Sequence, residues 1–330
     1  MRKPVAALLA LSMVCFVLSG VGGCTKPAEK PKEQSGPLRL SIATGGVAGV
    51  YYPLGGAIAS VINTKMKNAN CSVETTGGSV ANIHLIKGGS ANLAFSAANV
   101  FYDAVKGIGA FKDQKVESAR AILSLYPEAV QIVTLADSGI KTVNDLKGKK
   151  VAVGDMGSGT ELMAREILKL YGMTYDDITE DYLGFSEAAN GLKDRTIAAG
   201  FIWAGVPTAG IMDLTSQNKI SLVQIDEARI NDLTQRLPYC TVMKIVGGTY
   251  KGLDTEVTTI AIPAILIGRA DLSDEFVYSL LKAIFDNKKM LEQAHVRGKD
   301  ISLQTALNGL KGIPLHPGAE RFFKEAGLLK

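Results

Sequence analysis

Short apolar runs alternate along the chain with segments whose apolar residues recur every three to four positions. The first pattern is typical of strands and the second of helices, so their alternation predicts a layered α/β fold. Extended segments are predicted at LRLSIAT, CSVETT, ANLAFSAA, ILSLYPEAVQIVTLADSG, KVAVGD, TIAAGFIWAG and VTTIAIPAILIG. Helices are predicted at YPLGGAIASVINTKM, GGSVANIHLIKGG, TVNDLKGK and GSGTELMAREILKLYG.

Two of the predicted helices have a clear apolar face. The segment SDEFVYSLLKAIFDNKKMLEQA has the pattern of one long amphipathic helix, with an apolar face at Phe276, Leu280, Ile284 and Leu291. The helix after the first strand carries its apolar residues at Leu54, Ile58, Val61 and Ile62. Both faces are expected to pack against a sheet.

The N-terminal segment predicts export. Residues 1–23 resemble a signal peptide, with a charged start, an apolar stretch and small residues before Cys24. The apolar stretch is shorter than the about 20 residues of a membrane-spanning helix. A cysteine after small residues resembles the bacterial lipobox, although Val21 stands where leucine is usual; the alternative is a secreted protein with an incidental Cys24. Residues 24–37, rich in proline, lysine and glutamate, predict a flexible tether spanning on the order of 20 Å or more.

Charge and cysteine content narrow the possible partners. The formal net charge is +4 and falls to +2 without Arg2 and Lys3, which gives no support for nucleic-acid binding. Cys71 and Cys240 lie 169 positions apart, and unpaired buried thiols are expected rather than a disulfide. The three histidines are scattered along the chain and no CxxC occurs, so neither a metal site nor a cofactor is expected.

Small residues follow three predicted strands at the point where each enters a helix. The three turns are Thr44-Gly45-Gly46, Gly77-Gly78-Ser79 and Gly157-Ser158-Gly159-Thr160. Helix N-termini expose unpaired N–H groups and a partial positive charge, which favours anions. Ligands in open α/β sheets bind at the carboxyl ends of strands. The pattern therefore predicts an anion site built from these turns.

The motifs of several enzyme classes are absent from the sequence. There is no GxxxxGK[ST] loop, no correctly spaced GxGxxG and no GxSxG. The SLLK sequence at 279–282 lies inside a predicted amphipathic helix and is interpreted as surface pattern. Paired acids are not expected near the three turns, which leaves acid–base catalysis without residues. A carboxylate ligand and no enzymatic activity are therefore predicted.

Four blocks resemble the TAXI family, the extracytoplasmic solute-binding subunits of TRAP transporters. They are IATGGVAGVYYPLGGAIA, TTGGSVANIHLI, SLYPEAVQIVTLADSGIKTVNDLKGKKVAVGDMGSGTE and GFIWAGVPTAGI. The resemblance implies a periplasmic binding protein type II-like fold, with two α/β lobes joined by two crossover strands around a ligand cleft. It places lobe I at residues 38–134 plus 262–330 and lobe II at residues 135–261. It also implies small and large TRAP membrane subunits as partners.

The chain departs from the pattern of that family at several strand ends. Asn92, Ala97, Asn99 and Ala198 stand where the family usually has acidic or amide residues, and Gln131 replaces a histidine. These changes either adapt the cleft to a different or more anionic ligand or have no consequence.

The resemblance and the three turns together give a set of expected ligand-binding residues. Tyr51 and Tyr52 point in different directions from the first helical turn, so one is expected to line the ligand and the other to pack. Trp203 stacks on the ligand or serves as buried structure, and Ser158 serves the helix cap, the ligand or both. The full set is Thr44, Gly45, Gly46, Tyr51, Tyr52, Ser79, Asn82, Ser96, Gly157, Ser158, Gly159, Thr160, Trp203 and Gly205.

The sequence thus predicts a membrane-anchored extracytoplasmic lipoprotein that captures a small carboxylate for a membrane permease. The family resemblance favours glutamate, glutamine or a C4–C5 dicarboxylate such as 2-oxoglutarate. The alternative is an extracytoplasmic sensor or enzyme on the same fold.

Overall fold

The computed structural model describes residues 37–330. Within this range the strands are β1 (Leu38–Ala43), β2 (Ala69–Glu74), β3 (Leu93–Ala97), β4 (Ala119–Leu135), β5 (Lys150–Ala152), β6 (Thr179–Asp181), β7 (Ala199–Ala204), β8 (Ile220–Leu222), β9 (Thr241–Ile245) and β10 (Val257–Arg269). The helices are α1 (Tyr51–Lys65), α2 (Ser79–Lys87), α3 (Ala98–Lys106), α4 (Gly159–Leu170), α5 (Phe185–Lys193), α6 (Ala209–Gln217), α7 (Glu227–Arg236), α8 (Asp274–Asp286), α9 (Lys288–Ala294) and α10 (Pro317–Glu325). The predicted alternation of strands and helices is confirmed.

The described strands form one sheet with two long antiparallel strands at its centre. The order is β2-β1-β3-β10-β4-β7-β5-β6, with β8 on β4 and β9 on β10. Strand β4 has 17 residues and β10 has 13, and Pro127 lies opposite Pro263 in their register. On one side of this pair β1 runs parallel to β2 and β3, and on the other side β5 runs parallel to β6 and β7. Two parallel α/β units therefore flank one pair of crossing strands.

The core covers both faces of the sheet. Strands β3 and β7 are buried at every position, which requires helices on both faces. The expected apolar face of α1 is confirmed, because Leu54, Ile58, Val61 and Ile62 are all fully buried. Packing of this kind places the helix N-termini at the carboxyl ends of the parallel strands.

The helix expected over residues 273–294 is two helices, so that prediction is wrong. The break lies at Asn287, whose backbone leaves the helical conformation at φ −120° and ψ 30°. Its side-chain Nδ2 donates to the carbonyl of Ala283 at 2.8 Å, and its N–H donates to the same carbonyl at 3.1 Å. An asparagine that bonds to nearby backbone in this way competes with helix continuation.

The structure also bears on the cysteines, on metal binding and on membrane-spanning helices. Cys71 and Cys240 are both buried and free, as predicted. Burial raises the pKa of each thiol to about 12. Between residues 37 and 330, no group of three or more His, Cys, Asp or Glu is arranged to hold a metal ion. No helix in the same range combines the length and apolar character needed to cross a membrane.

Candidate functional site

A single cavity lies where the three small-residue turns meet. The volume of the cavity is about 60 Å³, which is room for a few water molecules or a small ligand. It is lined by Gly45, Gly46, Gly49, Val50, Tyr51, Gly77, Gly78, Ser79, Glu128, Asp155, Ser158, Gly159, Thr160, Phe185, Trp203 and Ala204. The structure thus brings together Gly45, Gly46, Tyr51, Ser79, Ser158, Gly159, Thr160 and Trp203 from the expected set.

Three helices begin at this cavity. Helix α1 follows Val50, α2 follows Gly78 and α4 follows Ser158. The first N–H groups of a helix have no acceptor within the helix, and the helix dipole adds partial positive charge there. Gly78 has φ +103°, a backbone conformation that other residues rarely adopt, so glycine is needed to start α2 at this angle. The arrangement favours a bound anionic group.

Two backbone hydrogen bonds link segments next to the cavity across the central strand pair. The N–H of Ala81 in α2 donates to the carbonyl of Gly157 before α4 at 3.1 Å. The N–H of Gly210 in α6 donates to the carbonyl of Ala48 before α1, also at 3.1 Å. Each bond joins segments on opposite sides of the central strand pair.

The hydroxyl of Ser158 caps helix α4. Its Oγ accepts a hydrogen bond from the N–H of Glu161 at 3.0 Å, and its backbone is extended at φ −88° and ψ 157°. This is the geometry of an N-cap residue. Of the two roles left open by the sequence, the cap is observed, and Ser158 also lies in the cavity wall.

Of the two neighbouring tyrosines, Tyr51 lines the cavity. Its hydroxyl donates to Oε2 of Glu128 at 2.9 Å, and its ring centroid lies 5.0 Å from that of Phe95. Burial, followed by the nearby Glu128, raises the pKa of Tyr51 well above its usual value. Tyr52 is 37% exposed and lies outside the cavity lining.

Of the two roles considered for Trp203, buried structure is observed, and stacking on a ligand stays a prediction. It is buried at the end of β7, and its Nε1 donates to the backbone carbonyl of Glu128 at 2.9 Å. Its ring also forms part of the cavity wall. The hydrogen bond fixes the ring against β4 while leaving a ring face for a ligand.

The other expected residues lie outside the cavity and bond to the protein. Thr44 Oγ1 donates to the carbonyl of Glu74 at 2.7 Å, and Ser96 Oγ donates to that of Ala97 at 3.1 Å. The carbonyls of Gly157 and Gly205 accept bonds from Ala81 and Thr208. The buried Asn82 donates from Nδ2 to the carbonyls of Thr44 at 2.6 Å and Phe95 at 2.8 Å. Buried backbone carbonyls near the strand ends need hydrogen-bond donors, and these side chains supply them.

Sequence reasoning missed two acids in the cavity wall. The expectation that no paired acids lie near the turns is wrong, because both Glu128 and Asp155 line the cavity. Burial raises the pKa of Glu128 to about 8, with the hydrogen bond from Tyr51 acting in the opposite direction. Burial and then the nearby Glu187 raise the pKa of Asp155. A single acid within the apolar strand β4 was the available signal for Glu128.

Comparison with known sequences decides the family. A sequence model of the NMT1-like family matches residues 42–327. The chain belongs to the NMT1-like family. The match covers every element that builds the cavity.

Solved structures similar to this NMT1-like protein share its fold at low sequence identity. A structure titled as a periplasmic transporter has a TM-score of 0.52 and 14% identity, covering 89% of this chain and 93% of that one. A protein of Bordetella bronchiseptica RB50 has a TM-score of 0.51 and 18% identity, covering 87% and 82%. The alkanesulfonate-binding protein SsuA from Xanthomonas axonopodis pv. citri, bound to MOPS, has a TM-score of 0.49 and 16% identity, covering 88% and 84%. The predicted α/β, periplasmic binding protein type II-like fold is confirmed.

The assignment to the TAXI family of TRAP receptors is wrong. The family model that matches nearly all of the described chain, residues 42–327, is that of the NMT1-like family. The blocks that carry the resemblance include the three turns that open helices at the cavity. Such glycine-rich turns meet a general backbone requirement of anion-binding α/β folds, so they identify a type of site better than a family.

The cap at Ser158 gives a testable expectation for this NMT1-like protein. Ser158→Ala is expected to lower the free energy of unfolding by about 1 kcal/mol, because the N–H of Glu161 loses its acceptor. Urea denaturation measures this change. Ser158→Thr retains a capping hydroxyl and is expected to keep most of the stability. Equal stability of the alanine variant and the wild type would contradict the capping role.

Proposed function

We propose that this protein is an extracytoplasmic solute-binding protein that captures a small carboxylate and delivers it to the membrane components of a transporter. The observation that carries the proposal is the convergence of three helix N-termini on one cavity. Oriented N–H groups bind a carboxylate without any cationic side chain. Glutamate, glutamine and C4–C5 dicarboxylates are the candidate ligands.

The proposal includes no catalytic step, because neither serine hydroxyl in the cavity wall is hydrogen-bonded to a carboxylate, a histidine or a lysine. None of the lining residues is a cysteine, histidine or lysine. The hydroxyl of Ser158 accepts from the N–H of Glu161, and that of Ser79 accepts from the N–H of Ala97. Both serines are thus held by the backbone. A ligand sensor on the same fold would bind in the same way, and only its partner would distinguish it from a transport protein.

Export and anchoring complete the proposal. Residues 1–23 have the pattern of a signal peptide, Cys24 follows small residues, and a polar tether leads to the body. All of these residues lie outside the described part of the chain. We propose that Cys24 carries a lipid and holds the protein at the outer face of a membrane. The fold shared with a structure titled as a periplasmic transporter supports a location outside the cytoplasm.

The proposed division into lobes follows the central strands. Lobe I would comprise residues 38–134 and 262–330, and lobe II residues 135–261. Strands β4 and β10 would then connect the lobes and act as the hinge. Two backbone hydrogen bonds, from Ala81 to Gly157 and from Gly210 to Ala48, join the proposed lobes and support their closure around a ligand.

A thermal-shift screen tests the proposed function. The purified protein is heated with amino acids, dicarboxylates, alkanesulfonates and phosphate at pH 6.5. A carboxylate at 100 times its Kd is expected to stabilise the fold by about 2.7 kcal/mol, because it binds only the folded state. Stabilisation by sulfonates alone would contradict the carboxylate assignment, and stabilisation by none of these compounds would contradict the binding function.

A further inference from the structure

Glu128 is the one acid that the central strand β4 places in the cavity wall. It is 3% exposed, and its Oε2 accepts a hydrogen bond from Tyr51 at 2.9 Å. Among the residues that the structure describes, none donates to its Oε1 within hydrogen-bonding distance. Since Glu128 lines the cavity, this second oxygen is the one available to a ligand.

Burial opposes a negative charge on Glu128 more strongly than the hydrogen bond from Tyr51 favours one. Two phenols lie near it, Tyr51 on α1 and Tyr126 two residues earlier on β4. Asp155, in the turn after β5, is the other acid in the cavity wall and lies near Glu187 of α5. No lysine, arginine or histidine belongs to the lining. A buried carboxylate without a cation is costly, so the group keeps its proton instead, in agreement with the pKa of about 8 for Glu128.

We propose that Glu128 determines the charge of the accepted ligand, by remaining a neutral carboxylic acid that donates its proton in a hydrogen bond to the carboxylate of the ligand. The inference rests on the proposed function and adds to it a side-chain donor opposite the helix N-termini. The hydroxyl of Tyr51 donates to Oε2, which leaves Oε1 to carry the proton toward the cavity. A neutral acid adds a donor without repelling an anion, as an ionised one would.

The first measurement concerns Glu128 without any ligand. Infrared difference spectra between the wild type and Glu128→Gln at pH 7 should contain the carbonyl band of a protonated carboxylic acid, and this band should disappear above pH 9. Absence of the band at pH 7 in a protein that binds carboxylates would overturn this inference alone.

The second measurement is the pH dependence of binding, with 2-oxoglutarate and succinate as probes because neither carries an amine. Affinity from titration calorimetry is expected to be about tenfold weaker at pH 9 than at pH 7, because Glu128 must be reprotonated before the ligand binds. Glu128→Gln retains a hydrogen-bond donor but does not titrate, so its profile should be flat over this range. Asp103→Asn removes an acid whose pKa is raised to about 6 and which is not part of the cavity wall, and should keep the wild-type profile.

Two other results would overturn the proposal. An affinity that rises with pH, together with a large loss in Glu128→Gln, would show that Glu128 accepts a hydrogen bond as a carboxylate. A protonated Glu128 in a folded protein that binds none of 2-oxoglutarate, succinate, glutamate and glutamine between pH 6.5 and 9 would reject the proposed carboxylate ligand, and the donor role with it.

Discussion

Gly159→Val is expected to abolish ligand binding while leaving the protein folded. A Cβ at this position would lie 3.1 Å from Oγ of Ser79 and 3.2 Å from Cζ3 of Trp203, both in the cavity wall. The two methyl groups of valine would extend further into a cavity of only about 60 Å³. We expect affinity to fall more than about 100-fold, equivalent to about 2.7 kcal/mol, as measured by titration calorimetry with the best ligand of the thermal-shift screen.

A second glycine provides the control for this experiment. Gly56 lies within α1, where an added Cβ meets no atom within 4 Å, and it does not line the cavity. Gly56→Ala is therefore expected to keep the wild-type affinity and to gain slightly in stability, since alanine is the better helix former. Wild-type affinity in Gly159→Val would place the binding site elsewhere.

Asn82→Ala is expected to destabilise the fold strongly, by about 3–5 kcal/mol. The variant loses the bonds from Nδ2 to the carbonyls of Thr44 and Phe95, and the bond that Oδ1 accepts from Thr76 at 2.6 Å. The carbonyl of Phe95 in β3 would lose this donor, and that of Thr44 just after β1 would keep the hydroxyl of Thr76 as a donor, at 3.0 Å. Urea denaturation followed by circular dichroism measures the loss.

Asn92 is the matched control for Asn82. Its side chain accepts one hydrogen bond, from the N–H of Ser41 at 2.9 Å, also beside β1. Asn92→Ala is expected to cost about 1 kcal/mol, because one bond is lost in a partly exposed place. Similar losses in the two variants would show that Asn82 does not hold the two strand ends together.

The cavity illustrates how far local patterns predict a site. The capped turn at Ser158, the glycines before α1 and the turn before Ser79 are visible in sequence, because capping and glycine requirements depend on neighbouring residues. Glu128 was missed because nothing in the residues next to it along β4 shows that it faces the three turns. Its position opposite the turns follows from the place of β4 in the sheet, and sequence spacing carries no such information.

Asn82 is a second residue whose role could not be predicted from its neighbours in the sequence. A polar residue just after a helix N-terminus has the local signature of a ligand contact. In the folded chain it instead satisfies carbonyls of Thr44 and Phe95, which lie 38 and 13 positions away. Which of the two roles applies depends on where the ends of β1 and β3 meet.

By itself, the sequence determined the α/β class, seven of the ten described strands, the helices α1, α2 and α4, and the three turns that open helices at the cavity, because periodicity, caps and glycines act over a few residues. Only the tertiary structure decided which side chains face the cavity, that two acids line it and that backbone hydrogen bonds link the two sides of the sheet beside it. These features arise from contacts between segments far apart in the chain. Burial and charge at a site depend on all the segments packed around it, and local pattern cannot encode them.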